Sequence, residues 1–137
     1  MERTLAIVKP DAMERGLLAE ILKRVHEVGL KIVVMKSLRL SKSEAEGFYA
    51  VHRDKPFFND LTHFMSAGQI MVIVLEGENA IARWRATMGA TDPAQAAPGT
   101  IRREFGTSIQ ENCTHGSDAP ETAVFEISYF FAAHELL

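Results

Sequence analysis

Leu5-Ala6-Ile7-Val8 is a continuous apolar run closed by Lys9-Pro10, the pattern of a buried strand that stops where proline removes a backbone donor. The period then changes. Leu18, Ile21, Leu22, Val25 and Val28 recur at helical spacing and Gly29 follows, which predicts an amphipathic helix over about 17–28 with glycine at its C-terminal cap. Lys31 to Leu40 reads as a second strand. Ser41-Lys42-Ser43-Glu44 is a capping-box sequence that opens a helix to about Arg53; Pro56 blocks its continuation, and 56–66 predicts a further short helix. Gln69 to Leu75 is apolar at nearly every position, as expected of a central strand buried on both faces. Asn79 is placed to cap a helix with Ile81, Trp84 and Met88 inward and Gly89 as its stop, after which Ala90 to Gly99, with Pro93 and Pro98, predicts a small-residue loop. A last strand near Ile109–Thr114 and a helix over Asp118–Phe131 complete the chain.

The resulting order, βαββαβ with additional helices, is the split βαβ plan: an α/β (α+β) fold with a four-stranded, largely antiparallel sheet and helices on one face. The other face then needs a cover, from the extra helices or from a second subunit, so oligomerisation is expected. With 137 residues, 47% of them hydrophobic, the chain can fill one core, and residues 1–137 read as a single domain. One cysteine, Cys113, cannot form an internal disulfide, and Met1-Glu2-Arg3-Thr4 has no apolar signal region behind it, which points to the cytoplasm. No apolar run approaches the ~20 residues of a membrane span. A net charge of −3 argues against a general nucleic-acid coat and leaves a small phosphorylated molecule as the expected partner.

Chemistry concentrates in Asn112-Cys113-Thr114-His115-Gly116-Ser117-Asp118. An imidazole, with an ordinary pKa near ~6.5, is nucleophilic at neutral pH and can carry a phosphoryl or an acyl group. Gly116 removes a side chain beside the ring, which would admit a bulky anion, and Ser117 offers a hydroxyl to orient a neighbouring acid or the ring itself. Asp118-Ala119-Pro120-Glu121 has a capping-box pattern with proline in the first turn, so His115 is expected just before a helix N-terminus, where orphan amides favour anions and phosphate chemistry. Glu126, two turns on, is placed to hold the other ring nitrogen.

Other features have plainer readings. His52-Arg53-Asp54 followed by Asn59 matches a protein-kinase catalytic loop, but no Gly-rich loop or Asp-Phe-Gly accompanies it. Asn112-Cys113-Thr114 fits the glycosylation pattern by chance, and neither a Walker loop nor zinc-ligand spacing occurs, so any metal should arrive with the substrate. His26, His63 and His134 read as solvated or packing residues, and Cys113 as a small packed one. Lys9, Arg83, Arg85, Arg102 and Arg103 default to surface charges, and only their positions near strand and loop ends argue otherwise. An RNA-recognition module shares this element order, but 5–8 and 69–75 lack the stacking aromatics that it needs.

Asn112-x-x-His115-Gly116-Ser117-Asp118 with Glu126 resembles the active-site signature of nucleoside diphosphate kinases. Arg3-Thr4, Lys9-Pro10-Asp11, Tyr49 to Phe58, Leu75-Glu76-Gly77, Gly89-Ala90-Thr91-Asp92-Pro93 and Pro98-Gly99-Thr100-Ile101-Arg102 are similar to the family's other blocks, in order. The resemblance implies a ferredoxin-like fold and a ping-pong transfer of the terminal phosphoryl group from a nucleoside triphosphate, typically ATP, to a nucleoside diphosphate, which maintains NTP and dNTP pools. His115 would carry the group, Glu126 with Ser117 would orient the ring, and Tyr49 would stand near the transferred phosphoryl. Arg85, Thr91 and Arg102 would bind phosphates beside nucleotide-borne Mg²⁺, Lys9 and Asn112 would reach the sugar end and the phosphates, and Phe57 would stack on the base. A homo-oligomer, tetramer or hexamer, is implied as well. Ala12 departs from a glycine frequent after Pro-Asp, Gln69 from a proline, and the chain stops at Leu137 where many relatives carry a longer tail that contributes to subunit contacts.

Overall fold

Four strands and seven helices alternate in the computed structural model, which describes residues 1–136. Strand β1 (Glu2–Val8) leads into α1 (Pro10–Glu14) and α2 (Leu18–Glu27); β2 (Lys31–Leu38) is followed by α3 (Lys42–Phe48), a 3₁₀ turn (Ala50–His52) and α4 (Phe58–Ser66). Then come β3 (Ile70–Gly77), α5 (Ala80–Met88), a 3₁₀ turn (Pro93–Gln95), α6 (Ile101–Phe105), β4 (Thr114–Gly116), α7 (Pro120–Phe130) and a final 3₁₀ turn (Ala133–Glu135). The strands lie in the order β2-β3-β1-β4 with every neighbouring pair antiparallel, the ferredoxin-like arrangement.

Alternation along β1 and β3 divides the interior between the two faces of the sheet. Leu5, Ile7, Val72 and Val74 pack with Phe48 of α3, Met65 of α4 and Ile127 of α7, while Ala6, Val8, Ile73 and Leu75 pack with Ile21 and Val25 of α2, Trp84 of α5 and Ile101 of α6. Helices therefore cover both faces, which corrects the expectation of helices on one face only. The extra helices supply the cover that otherwise falls to a second subunit, and the bare sheet that an RNA-recognition module would use is missing among the described residues.

Several boundaries differ from expectation for local reasons. Pro10 ends the strand as expected but also opens α1 at a position where its missing N–H costs nothing, and five residues are too few to show a period. The Ser41 box is real: Ser41 Oγ accepts from Glu44 N at 3.0 Å and Glu44 Oε1 from Ser41 N at 2.8 Å. The helix it opens nevertheless stops at Phe48 and passes through a 3₁₀ turn. Asn79 does not cap α5 with its side chain; it adopts a left-handed φ of +50°, and Glu2 Oε1 accepts from Ile81 N at 2.8 Å instead. Residues 90–99 contain a 3₁₀ turn, and α6 follows it unforeseen.

The expected strand at 109–114 is displaced to Thr114–Gly116. Upstream the backbone is spent on a local turn, with Thr107 N donating to Glu111 O at 2.9 Å, and Cys113 is left-handed at φ +75°. His115 thus belongs to a strand, opposite Ile7 of β1, rather than to a helix approach. Nor does Asp118 cap α7: the cap residue is Ala119, whose N–H donates to Thr122 Oγ1 at 3.0 Å.

Candidate active site

Ile7 of β1 pins His115 of β4 at the sheet edge, and the chain on either side brings the other polar groups toward that ring. Beyond β1, Lys9 N donates to Cys113 O at 2.9 Å, so the two strand ends stay joined where their formal pairing stops. Beyond β4, Ser117 N donates to Leu5 O at 3.2 Å and Leu5 N donates to Ser117 Oγ at 3.0 Å. His115 is therefore clamped between two backbone ties. From the other side, Trp84 Nε1 of α5 donates to the His115 carbonyl at 3.2 Å.

The ring is oriented by a carboxylate. His115 Nε2 lies 2.8 Å from Glu126 Oε1, and because a carboxylate only accepts, Nε2 is the donor of that contact, which in the neutral ring leaves the lone pair on Nδ1. Ser117 Oγ donates to the same Oε1 at 2.9 Å. Of the two roles expected for Ser117, orienting the acid is the one observed. Phe48 meets the imidazole edge-on at 5.4 Å between centroids and Tyr49 at 6.2 Å, closing the apolar side.

His115 opens onto a cleft of about 490 Å³, a size suited to a small molecule. Lys9, Tyr49, Phe57, Arg85, Thr91, Arg102, Asn112 and Glu126 also line it, so nine of the ten candidate residues converge there, and Ser117 stands behind Glu126. Lys9 Nζ donates to Asn112 Oδ1 at 2.8 Å, and Asn112 Nδ2 to Thr91 O at 2.9 Å. Arg102 donates through Nη1 to Gly89 O at 3.0 Å and through Nη2 to Thr114 O at 2.7 Å. Arg85, half exposed, pairs with Asp118 at 2.5 Å. Of the buried side-chain atoms without a protein partner among the described residues, two, Arg102 Nε and the Tyr49 hydroxyl, belong to residues of the cleft.

Burial disfavours the charge of Lys9 and Arg102, and repulsion among the cations of the concavity adds to the effect. Lys9 is pushed down to about 8, first by burial and then by Arg102, with Asp11 and Cys113 opposing. Arg102 is lowered to about 10 by burial and by Arg85. Burial, with the Glu126 charge, raises the Tyr49 hydroxyl, which stays neutral. An excess of positive charge held partly out of water is a receptor for an anion. At the mouth, Phe57 is 48% exposed, Ile109 61% and Val51 82%, an apolar rim suited to a flat ring.

Some expectations needed correction and some neighbours were missed. Gly116 lines the cleft beside His115, and a Cβ there would lie 2.7 Å from Trp84 Cδ1 and 2.6 Å from Met88 Cε, so its small size also serves the approach of α5. Trp84, read as core alone, also holds the His115 carbonyl; no periodicity could show where its N–H points. Asp118, read as a cap, is the partner of Arg85. The kinase-like triplet contributes only His52, which lines the apolar end and lies 5.5 Å from the Phe57 ring. Asn112 is buried, which removes the glycosylation reading, while His26, His63 and His134 are exposed as expected. Cys113 is fully buried and its thiol is pushed up to about 11, chiefly by burial, as befits a packed residue. A second hollow of about 550 Å³ beside α1 and the end of α4 contains none of the ten candidate residues.

A family model described as nucleoside diphosphate kinase matches residues 2–136. Curated relatives carrying that name include those of Trichlorobacter lovleyi, 60% identical over 100% of this chain and 99% of its own, and Geobacter sulfurreducens, 60% identical over 100% of both. Among solved structures, the nucleoside diphosphate kinase of Aquifex aeolicus superposes with a TM-score of 0.97 at 47% identity, covering 99% of each chain. That of Halobacterium salinarum, in complex with CDP, gives 0.95 at 43% identity, covering 99% of this chain and 91% of its own.

Proposed function

The chain belongs to the nucleoside diphosphate kinase family, phosphotransferases that move a terminal phosphoryl group from a nucleoside triphosphate to a nucleoside diphosphate, and on that premise we propose that His115 carries the group in this enzyme. The observation that carries the proposal is the 2.8 Å contact between His115 Nε2 and Glu126, which leaves Nδ1 as the nucleophile beside a cationic cleft. In the first half-reaction Nδ1 forms a bond to the terminal phosphorus and the bond from that phosphorus to the bridging oxygen breaks; the diphosphate leaves with the oxygen and its electron pair. In the second, a terminal oxygen of the acceptor diphosphate attacks the same phosphorus and the P–N bond breaks, returning the pair to Nδ1. Each half needs one nucleotide, so a single cleft serves both in turn.

The chain's residues position and neutralise more than they react. Glu126 stabilises the ring as it becomes cationic, and Ser117 holds Glu126. Arg85, Arg102 and Thr91 would take the phosphates, with Arg102 Nε offering an uncommitted donor; Lys9 and Asn112 would meet the sugar end and the phosphates, and Tyr49 would contact the transferred group. Phe57 would stack on the base, and a π-face accepts any base with little discrimination. The cleft lining fits a Mg²⁺ ion carried on the phosphates better than one in a protein cage, since its carboxylate other than Glu126, Asp118, is tied to Arg85. Bound there, the ion would neutralise phosphate charge.

We also propose that the 137 residues act as one domain, that the protein is a homo-oligomer, tetramer or hexamer, and that it works in the cytoplasm without a membrane or an obligatory nucleic acid. No helix among the described residues is long and apolar enough to cross a membrane. Incubation with ATP labelled in the terminal phosphate should give a phosphoenzyme that survives base and is lost in acid, and His115→Asn should not form it. An acid-labile phosphoenzyme in that variant would remove His115 from the reaction.

A further inference from the structure

Two non-glycine residues adopt a left-handed backbone among the described ones: Asn79, at the start of α5, and Cys113, between Asn112 and Thr114. Asparagine enters that region readily, but cysteine gains nothing from it, and such strain persists only where the surroundings hold it in place. At Cys113 the hold is visible. Its N–H donates to Asp11 Oδ2 at 3.1 Å, and its carbonyl accepts from Lys9 N at 2.9 Å. Asp11 stands in the first turn of α1 and is 8% exposed, and a carboxylate is seldom withdrawn from water so far without a task. The phosphoryl transfer described above gives it none.

We propose that Asp11 is a positioning residue for the phosphate end of the cleft: its carboxylate holds the strained turn at Cys113, which sets the Asn112 amide against Lys9, and its charge balances the Lys9 ammonium against Arg102. The inference rests on the reading of Lys9 as a phosphate ligand. Geometry links the parts in one chain, from Asp11 to Cys113 N, from Cys113 O to Lys9 N, and from Lys9 Nζ to Asn112 Oδ1 and on to Thr91 O. The groups acting electrostatically on Lys9 are Arg102 from α6, which disfavours its charge, and Asp11 from α1 and Cys113 from the segment before β4, which favour it. Lys9 sits at about 8, close enough to neutrality for one missing carboxylate to change its charge state under working conditions. The sign is fixed: without the negative charge, Lys9 gives up its proton at lower pH.

Two substitutions separate charge from geometry. Asp11→Asn keeps an oxygen that can accept from Cys113 N–H and removes the charge, whereas Asp11→Ala removes both. The reactivity of Lys9 toward acetic anhydride, followed by mass spectrometry against pH, reads its protonation without any need for turnover. The midpoint is expected to fall by about half a pH unit or more in Asp11→Asn, with the alkaline limb of kcat/KM for ATP falling alongside. Asp11→Ala should also lose roughly ten-fold in kcat/KM at every pH through misplacement of Asn112. Cys113→Gly, free to adopt the left-handed backbone, should restore much of that loss in the double variant without restoring the midpoint. An unmoved midpoint in Asp11→Asn, or an Asp11→Ala variant that loses only thermal stability, overturns the proposal. In the unaltered enzyme ATP should shield Lys9 from acylation. If it does not, the reading of Lys9 as a phosphate ligand fails; if it does and the midpoint stays in place, only the role of Asp11 fails.

Discussion

Ser117 has two tasks that a single hydroxyl performs at once. It donates to Glu126 at 2.9 Å and accepts from Leu5 N at 3.0 Å, so the same atom aims the carboxylate behind His115 and satisfies a buried backbone donor of β1. Removing it leaves that N–H without a partner in a place water cannot reach, a cost of about 1–3 kcal/mol. Ser117→Ala should therefore lower the free energy of unfolding by that amount, seen as a lower urea midpoint at an unchanged slope. The histidine should still become phosphorylated, because Glu126 keeps its direct contact with His115. Urea unfolding and phosphoenzyme formation measured on the same preparation check both halves, and a variant as stable as its parent would sink the argument. Local spacing places Ser117 near Glu126; the bond to Leu5 links positions 112 apart, which no local pattern encodes.

Among elements, α5 shows how packing fixes chemistry at a distance. Trp84 is fully buried against the sheet, and its indole N–H reaches the His115 carbonyl because Gly116 leaves room for the ring. Gly116 has no positive φ, so the need for glycine here is steric. In Gly116→Ala the methyl would meet Met88 Cε, which can swing aside, and Trp84 Cδ1, which the indole bond and the core hold. Overpacking of this kind costs about 1–3 kcal/mol, and the strand that bears His115 would have to move as well. A lower melting temperature with a reduced rate of histidine phosphorylation and a nearly unchanged KM for ATP is the expected result; a raised KM with an intact phosphorylation rate would instead return Gly116 to the substrate-admitting role read from sequence. Elements with a long period or a complete cap, such as α2 and the start of α3, were legible in advance. Those set by three to five residues, α1, α6 and β4, were not, since too few positions exist for a period and their ends are decided by tertiary hydrogen bonds.

At the scale of the whole molecule, the four-stranded βαββαβ plan was legible in the sequence and its second helical layer was not. His115, Glu126 and the proposed phosphate ligands came from motif spacing and family resemblance, whereas the location of His115 on a strand and the second helical layer are set by tertiary pairing and packing. That second layer changes the case for assembly. Since α3, α4 and α7 already cover one face and α2, α5 and α6 the other, a partner subunit is not required to close the core. What stays exposed is of another kind: Ile32 and Met35 on β2, an edge strand with free backbone groups along one side, and Val124, Phe125 and Tyr129 on the outer side of α7. Open edges and clustered apolar side chains are costly in a monomer and are usually paired or covered. The proposed homo-oligomer should accordingly bury one of these regions rather than a sheet face. Sedimentation velocity at micromolar concentration should give a multiple of the chain mass, and Met35→Lys, which puts a charge on the edge strand, should lower that multiple if β2 is the seam. A species of monomer mass in the unaltered protein would end the assembly argument, and an assembly unaffected by the lysine would move the seam to α7.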